Sequence, residues 1–154
     1  MDLKPGDKVP TFNLATDGDG KVSLAGLKGT PFVLYFYPKD NTSGCTLEAQ
    51  DFTKLAKKFQ DLGVAVVGVS KDSVASHDRF KDKHKLKLTL ASDPEAALAQ
   101  AYGVWIEKSL YGRKYMGMDR ATFLVDKTAK IRAIWRKVKV AGHAEAVLAA
   151  AKLL

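Results

Sequence analysis

Cys45 is the only cysteine in the 154-residue chain, and it is the residue type here most capable of nucleophilic redox chemistry. A lone cysteine is most simply a small buried hydrophobe. Its position argues for more. Cys45 follows an apolar run, Phe32 to Tyr37, and a short polar loop, and it stands where a helical pattern begins. Strand carboxyl ends in open α/β sheets are where ligands bind. A helix N-terminus adds free N–H groups and roughly half a positive charge. Both favour the thiolate, which is the reactive form. With one cysteine no internal disulfide can form, and the lack of any Cys-x-x-Cys argues against a thiol–disulfide oxidoreductase.

The elements that must position Cys45 are legible from periodicity. Phe32-Val33-Leu34-Tyr35-Phe36-Tyr37 has the pattern of a strand buried on both faces, ended by Pro38. Phe52, Leu55, Ala56, Phe59 and Leu62 recur at helical spacing until Gly63. Val64 to Val69 is a second buried strand. Ser73 to His84 reads as a helix with Ser73 as N-cap. Leu88 to Ala91 is a short strand, and Pro94 to Tyr102 a helix with Asp93 as N-cap and Pro94 at its first position. Thr122 to Asp126 and Ile131 to Trp135 form two strands around the turn Lys127–Lys130, and Gly142 to Leu154 closes as an Ala/Leu-rich helix. The order predicts a parallel α/β core with an antiparallel hairpin added later, in one domain spanning residues 1–154.

The residues around the cysteine read Pro38-Lys39-Asp40-Asn41-Thr42-Ser43-Gly44-Cys45, that is, Pro-x-x-x-Thr-x-x-Cys. This resembles the active-site signature of the peroxiredoxins, and the longer run Tyr37 to Ala49 resembles their bacterioferritin-comigratory, or Q-type, branch. Pro5-Gly6-Asp7, Gly68-Val69-Ser70, Ser76-His77, Asp119-Arg120-x-Thr122-Phe123-Leu124-Val125-Asp126 and Trp135-Arg136 are similar to the same branch, so the resemblance covers nearly the whole chain. It implies a thioredoxin-like fold, with a central mixed β-sheet flanked by helices and an N-terminal extension. It implies a thiol peroxidase without a cofactor, acting on hydrogen peroxide and alkyl hydroperoxides through a sulfenic acid on Cys45. By the same resemblance, Thr42 orients the thiolate and the peroxide, and Arg120 stabilises the thiolate and the departing oxygen. Glu48 orients Arg120, Pro38 shields the sulfur, Gly44 offers backbone N–H, and Tyr37 lines the substrate site.

The sequence departs from that branch where a second thiol is expected. Gln50 stands five residues after Cys45, and Lys81 stands on the later helix. The expected cycle is therefore of the one-cysteine type, completed by an external thiol such as thioredoxin, glutaredoxin or glutathione. Two alternatives are a two-cysteine enzyme whose resolving thiol was removed and a redox sensor or chaperone-like protein switched by Cys45.

The remaining features carry less chemistry. Net charge is +8, from 25 Lys+Arg against 17 Asp+Glu, but the lysines are scattered among apolar and acidic residues, so a solvated basic surface is expected and not a nucleic-acid site. Asp17-Gly18-Asp19-Gly20 lacks a calcium ligand set and reads as a hairpin turn. His77 and His84 lie seven apart without further metal ligands, which suggests a surface or helix-face role. His143 is expected to cap or pack, and Trp105 and Trp135 to wall the core or a cleft. Met1 to Pro10 has no apolar core of a signal peptide, and the apolar runs are too short to span a bilayer, so a monomeric, cytoplasmic protein without membrane partners is expected.

Overall fold

The computed structural model describes residues 3–154. A seven-stranded mixed sheet forms its centre. Strands β1 (Asn13–Thr16) and β2 (Gly20–Ser23) pair antiparallel around a tight 3-10 turn at Asp17–Asp19. Gly18 and Asp19 there hold φ of 67° and 56°, which glycine and aspartate tolerate better than branched residues. The central strands β3 (Phe32–Phe36), β4 (Ala65–Ser70) and β5 (Thr89–Ser92) run parallel. A separate antiparallel ribbon, β6 (Trp105–Leu110) with β7 (Arg113–Met118), precedes β8 (Ala121–Val125) and β9 (Ile131–Trp135). Strand β8 pairs antiparallel with both β3 and β9, which completes the order β2-β1-β5-β4-β3-β8-β9.

Strand β3 divides the core because its side chains alternate across the sheet. Phe32, Leu34 and Phe36 join Phe12, Tyr102 and Phe123 on one face. Val33 and Tyr35, with the following Tyr37, join Cys45, Phe52, Phe59, Phe80 and Val147 on the other. Helices α1 (Ser43–Lys54), α2 (Ala56–Asp61), α3 (Val74–His84) and α5 (His143–Ala151) supply that second face. The short α4 (Ala97–Ala101) packs on the first. None of these helices is long and apolar enough to cross a membrane.

Two expectations change, and one element was not expected. The single helix through Phe52 and Leu62 is two helices, broken at Leu55, whose N–H reaches back to the Phe52 carbonyl at 3.1 Å in a tighter turn. The break brings Phe52 and Phe59 into one cluster, with ring centroids 6.0 Å apart. The helix expected from Pro94 begins only at Ala97, because residues 94–96 form a turn closed by the Ala96 N–H on the Asp93 carbonyl. The Asp93 carboxylate still caps it, accepting from the N–H groups of Leu98 and Ala99. The β6–β7 ribbon had no sequence signal, since its strands are largely exposed and lack an apolar alternation.

Candidate active site

The chain turns from β3 into α1 through Pro38 to Thr42, at the carboxyl end of the central strand. Thr42 is the N-cap in extended geometry, and its carbonyl accepts the first intrahelical bond from the Thr46 N–H at 2.8 Å. The N–H groups of Ser43, Gly44 and Cys45 precede that bond and therefore face outward from the helix end. Cys45 and Glu48 stand three residues apart and so share one helix face. Both are enclosed, at 2% and 1% exposure.

Arg120 immediately precedes β8 and brings its guanidinium to that face. Nη2 donates to Cys45 Sγ at 3.3 Å, and Nη1 donates to Glu48 Oε1 at 2.6 Å. One planar fork thus bridges a thiol and a carboxylate. Burial pushes Glu48 up to about 7, although Arg120 pulls in the opposite direction. The reason is visible: Oε2 is buried with no hydrogen-bond partner among the described residues. Burial disfavours the Arg120 cation, but Glu48 and Cys45 outweigh it and hold the guanidinium above its ordinary value. Gly44 makes room for this arrangement. A Cβ at that position would lie 3.3 Å from Arg120 Nη2.

The other expected residues are placed less uniformly. The Thr42 hydroxyl donates to the Lys39 carbonyl at 2.9 Å, so its hydrogen bond is within the loop and not to the sulfur. Pro38 is exposed. Tyr37 is 1% exposed, and its hydroxyl donates to Asp40 Oδ1 at 2.5 Å. A tyrosine so engaged packs under the loop, with its hydroxyl proton committed to Asp40. Lys81 Nζ is 2.7 Å from Asp17 Oδ2, and Gln50 is half-buried, so no thiol stands at either expected resolving position.

A second polar cluster was not read from the sequence as part of the site. His77, expected in a surface or helix-face role, lies on the inward face of α3 and is fully buried. Its Nδ1 lies 2.7 Å from Asp40 Oδ2, and its Nε2 donates to the Ala91 carbonyl at 2.9 Å. Ser76 Oγ donates to the same Asp40 oxygen, and the Asp40 N–H donates to Asp72 Oδ2. These bonds fasten the Pro38–Thr42 loop to the start of α3 and the end of β4. The available signal was Asp40, a carboxylate three residues after the buried run that ends at Tyr37, together with a histidine three residues before the core residue Phe80. His143 packs edge-on to Phe52 and Trp135 and shares a 2.7 Å hydrogen bond with Thr122 Oγ1. Burial and the nearby Arg120 charge push it down to about 4, so the ring is neutral.

Comparison with known proteins places this geometry among relatives. The AhpC/TSA family pattern matches residues 5–134. Peroxiredoxin Bcp of Bacillus subtilis is 46% identical over 143 residues, covering 93% of this chain and 91% of its own. Among solved structures, a cysteine-to-serine mutant of Xylella fastidiosa PrxQ has a TM-score of 0.94 at 39% identity, covering 99% of this chain and 98% of that one. The Xanthomonas campestris bacterioferritin comigratory protein, solved as trapped intermediate and ligand complexes for its alkyl peroxide reduction activity, has a TM-score of 0.90. It is 42% identical and covers 96% of this chain and 98% of that one.

Proposed function

The chain belongs to the AhpC/TSA family, in its peroxiredoxin Q branch, and from that premise we propose that it reduces hydrogen peroxide and alkyl hydroperoxides at Cys45. The observation that carries the reading is the Arg120 Nη2 contact with Cys45 Sγ at 3.3 Å, at the open end of α1.

In this reading the Cys45 thiolate attacks one peroxide oxygen. The S–O bond forms as the O–O bond breaks, giving Cys45 sulfenic acid and an alkoxide or hydroxide, which takes a proton from water. Sulfur is oxidised and the peroxide reduced by two electrons. The Arg120 cation and the N–H groups of Gly44 and Cys45 are fixed beside the sulfur before reaction, so they stabilise the departing oxygen without reorganising. Glu48 holds the guanidinium at its far nitrogen and sets its direction. Thr42 turns its hydroxyl from the Lys39 carbonyl to the peroxide when substrate enters. The enclosure of Cys45 admits a peroxide end while keeping bulk water from the thiolate.

Because Cys45 is the sole cysteine, reduction proceeds through a thiol from outside the chain. That thiol forms a disulfide with Cys45 and releases water, and a second thiol then releases Cys45. The same reading takes residues 1–154 as one domain acting as a cytoplasmic monomer. Thiol-dependent peroxide consumption tests the proposal. Wild type should turn over with glutathione or thioredoxin present, and Cys45→Ser should not. A Cys45→Ser protein that consumes peroxide at the wild-type rate contradicts it.

A further inference from the structure

Strand β9 leaves the sheet at the end where Cys45 and Arg120 lie. Phe36, the last residue of β3, pairs with Ala121, and Thr122 pairs with Trp135, the last residue of β9. The ladder continues past the strand, with the Val138 N–H on the Arg120 carbonyl at 2.9 Å. The chain then loops into α5, which packs in the same core cluster as α1. Between the loop and α5 lies a groove of about 470 Å³, walled by Trp135, Arg136, Lys137, Lys139 and His143. Among the described residues no carboxylate lines it. Among the described residues none of its three cations is in an ion pair, whereas Arg120 is paired with Glu48. All three cations are exposed; Arg136 is steadied by the Gly103 carbonyl and by the face of Phe123, and Lys137 and Lys139 are the two in no ion pair and no such contact among the described residues.

The peroxidase reading leaves one reactant without a site, the thiol that reduces Cys45 sulfenic acid. We infer that this groove binds the carboxylates of a small anionic thiol and delivers its sulfur to Cys45; the inference rests on that peroxidase reading. The charge complementarity fits an anion, and unpaired cations at the mouth of a cleft raise the local concentration of one. The volume falls in the range of small-molecule sites. A thiol protein would have to bring its sulfur to a residue only 2% exposed, whereas a small thiol can enter alone. Atoms and electrons balance. The thiol sulfur attacks Cys45 sulfur, the S–O bond breaks, and water leaves with the thiol proton. The resulting mixed disulfide is reduced by a second molecule of the same thiol.

The test separates the two half-reactions. One equivalent of hydrogen peroxide is added to the reduced full chain, and intact mass confirms sulfenic acid. Its disappearance is then timed with glutathione, which carries two carboxylates, and with neutral 2-mercaptoethanol at matched thiolate concentration. In wild type at low ionic strength glutathione should be the faster. The ratio of the two rate constants should fall by about fivefold or more in Lys137→Glu/Lys139→Glu. The same ratio in wild type should fall as salt is raised, because screening acts on the charged thiol alone. This second readout does not depend on the variant's folding. A ratio that moves less than twofold in both experiments overturns the inference, as does faster, charge-indifferent reduction by thioredoxin. If no sulfenic acid forms at all, the peroxidase reading itself is overturned, and the inference with it.

Discussion

Arg120 Nη2 lies 3.3 Å from Cys45 Sγ, joining residues 75 positions apart in the chain. The contact exists because β8 runs antiparallel to β3 and begins beside the end from which α1 departs. Removing the guanidinium removes the main fixed charge at the sulfur. Arg120→Ala should slow Cys45 oxidation by about 10²- to 10³-fold. Arg120→Lys should recover only part of the loss, since an ammonium cannot bridge sulfur and Glu48 with separate nitrogens. Stopped-flow oxidation by hydrogen peroxide measures both, and an Arg120→Ala rate near wild type would count against Arg120 in this role.

Glu48 makes a pH prediction with a definite sign. Its carboxyl is pushed up to about 7, from an ordinary 4.5, by burial. The folded state therefore holds this proton more tightly than the unfolded chain does. The associated stability is fully present below about pH 4.5 and is lost as pH rises through about 7. The separation corresponds to roughly 3 kcal/mol at about 1.36 kcal/mol per pH unit. Glu48→Gln has no such proton, so wild type should lose stability relative to it between pH 5 and 8. Urea unfolding of the two proteins across that range checks the slope, and parallel curves would refute it.

Gly44→Ala isolates the geometry of the guanidinium. The added Cβ would lie 3.3 Å from Arg120 Nη2, close enough to displace the side chain by a few tenths of an ångström. Stability should change little, because alanine suits a helix start better than glycine does. Oxidation should slow by about five- to tenfold, as small displacements at a reacting centre are costly. Unchanged oxidation with the fold intact would show that the Arg120 position is not critical.

His77→Ala should be the most damaging substitution away from Cys45. It strips one partner from buried Asp40 and another from the Ala91 carbonyl. Breaking a buried pair in this way costs about 3 kcal/mol or more. The urea midpoint should drop accordingly. A drop under about 1 kcal/mol would mean that the loop is held chiefly by Tyr37 and Asp72.

Much of this was readable in the chain because burial leaves a strong pattern. The runs at Phe32 and Val64 became β3 and β4, and Ser73 became the cap of α3, its hydroxyl accepting from the Ser76 N–H. The resemblance over Tyr37 to Ala49 and over Asp119 to Asp126 implies a site of Cys45, Glu48 and Arg120, and these three side chains are in contact. What stayed hidden were contacts made by tertiary packing. The spacing of His77 from Phe80 hints that it faces inward, but not that α3 turns it onto Asp40, 37 residues earlier. The kink at Leu55 and the exposed β6–β7 ribbon likewise follow from what they pack against and not from periodicity.

The central claim is that Cys45 is the peroxide nucleophile and that its recovery comes from outside the chain. Intact mass spectrometry after one equivalent of hydrogen peroxide, followed by added thiol, tests it most directly. Wild type should gain one oxygen, mapped to Cys45, lose it on thiol addition, and form no internal disulfide, while Cys45→Ser should gain none. Peroxide consumed with Cys45 unmodified, or equal oxygen uptake by Cys45→Ser, would contradict the account.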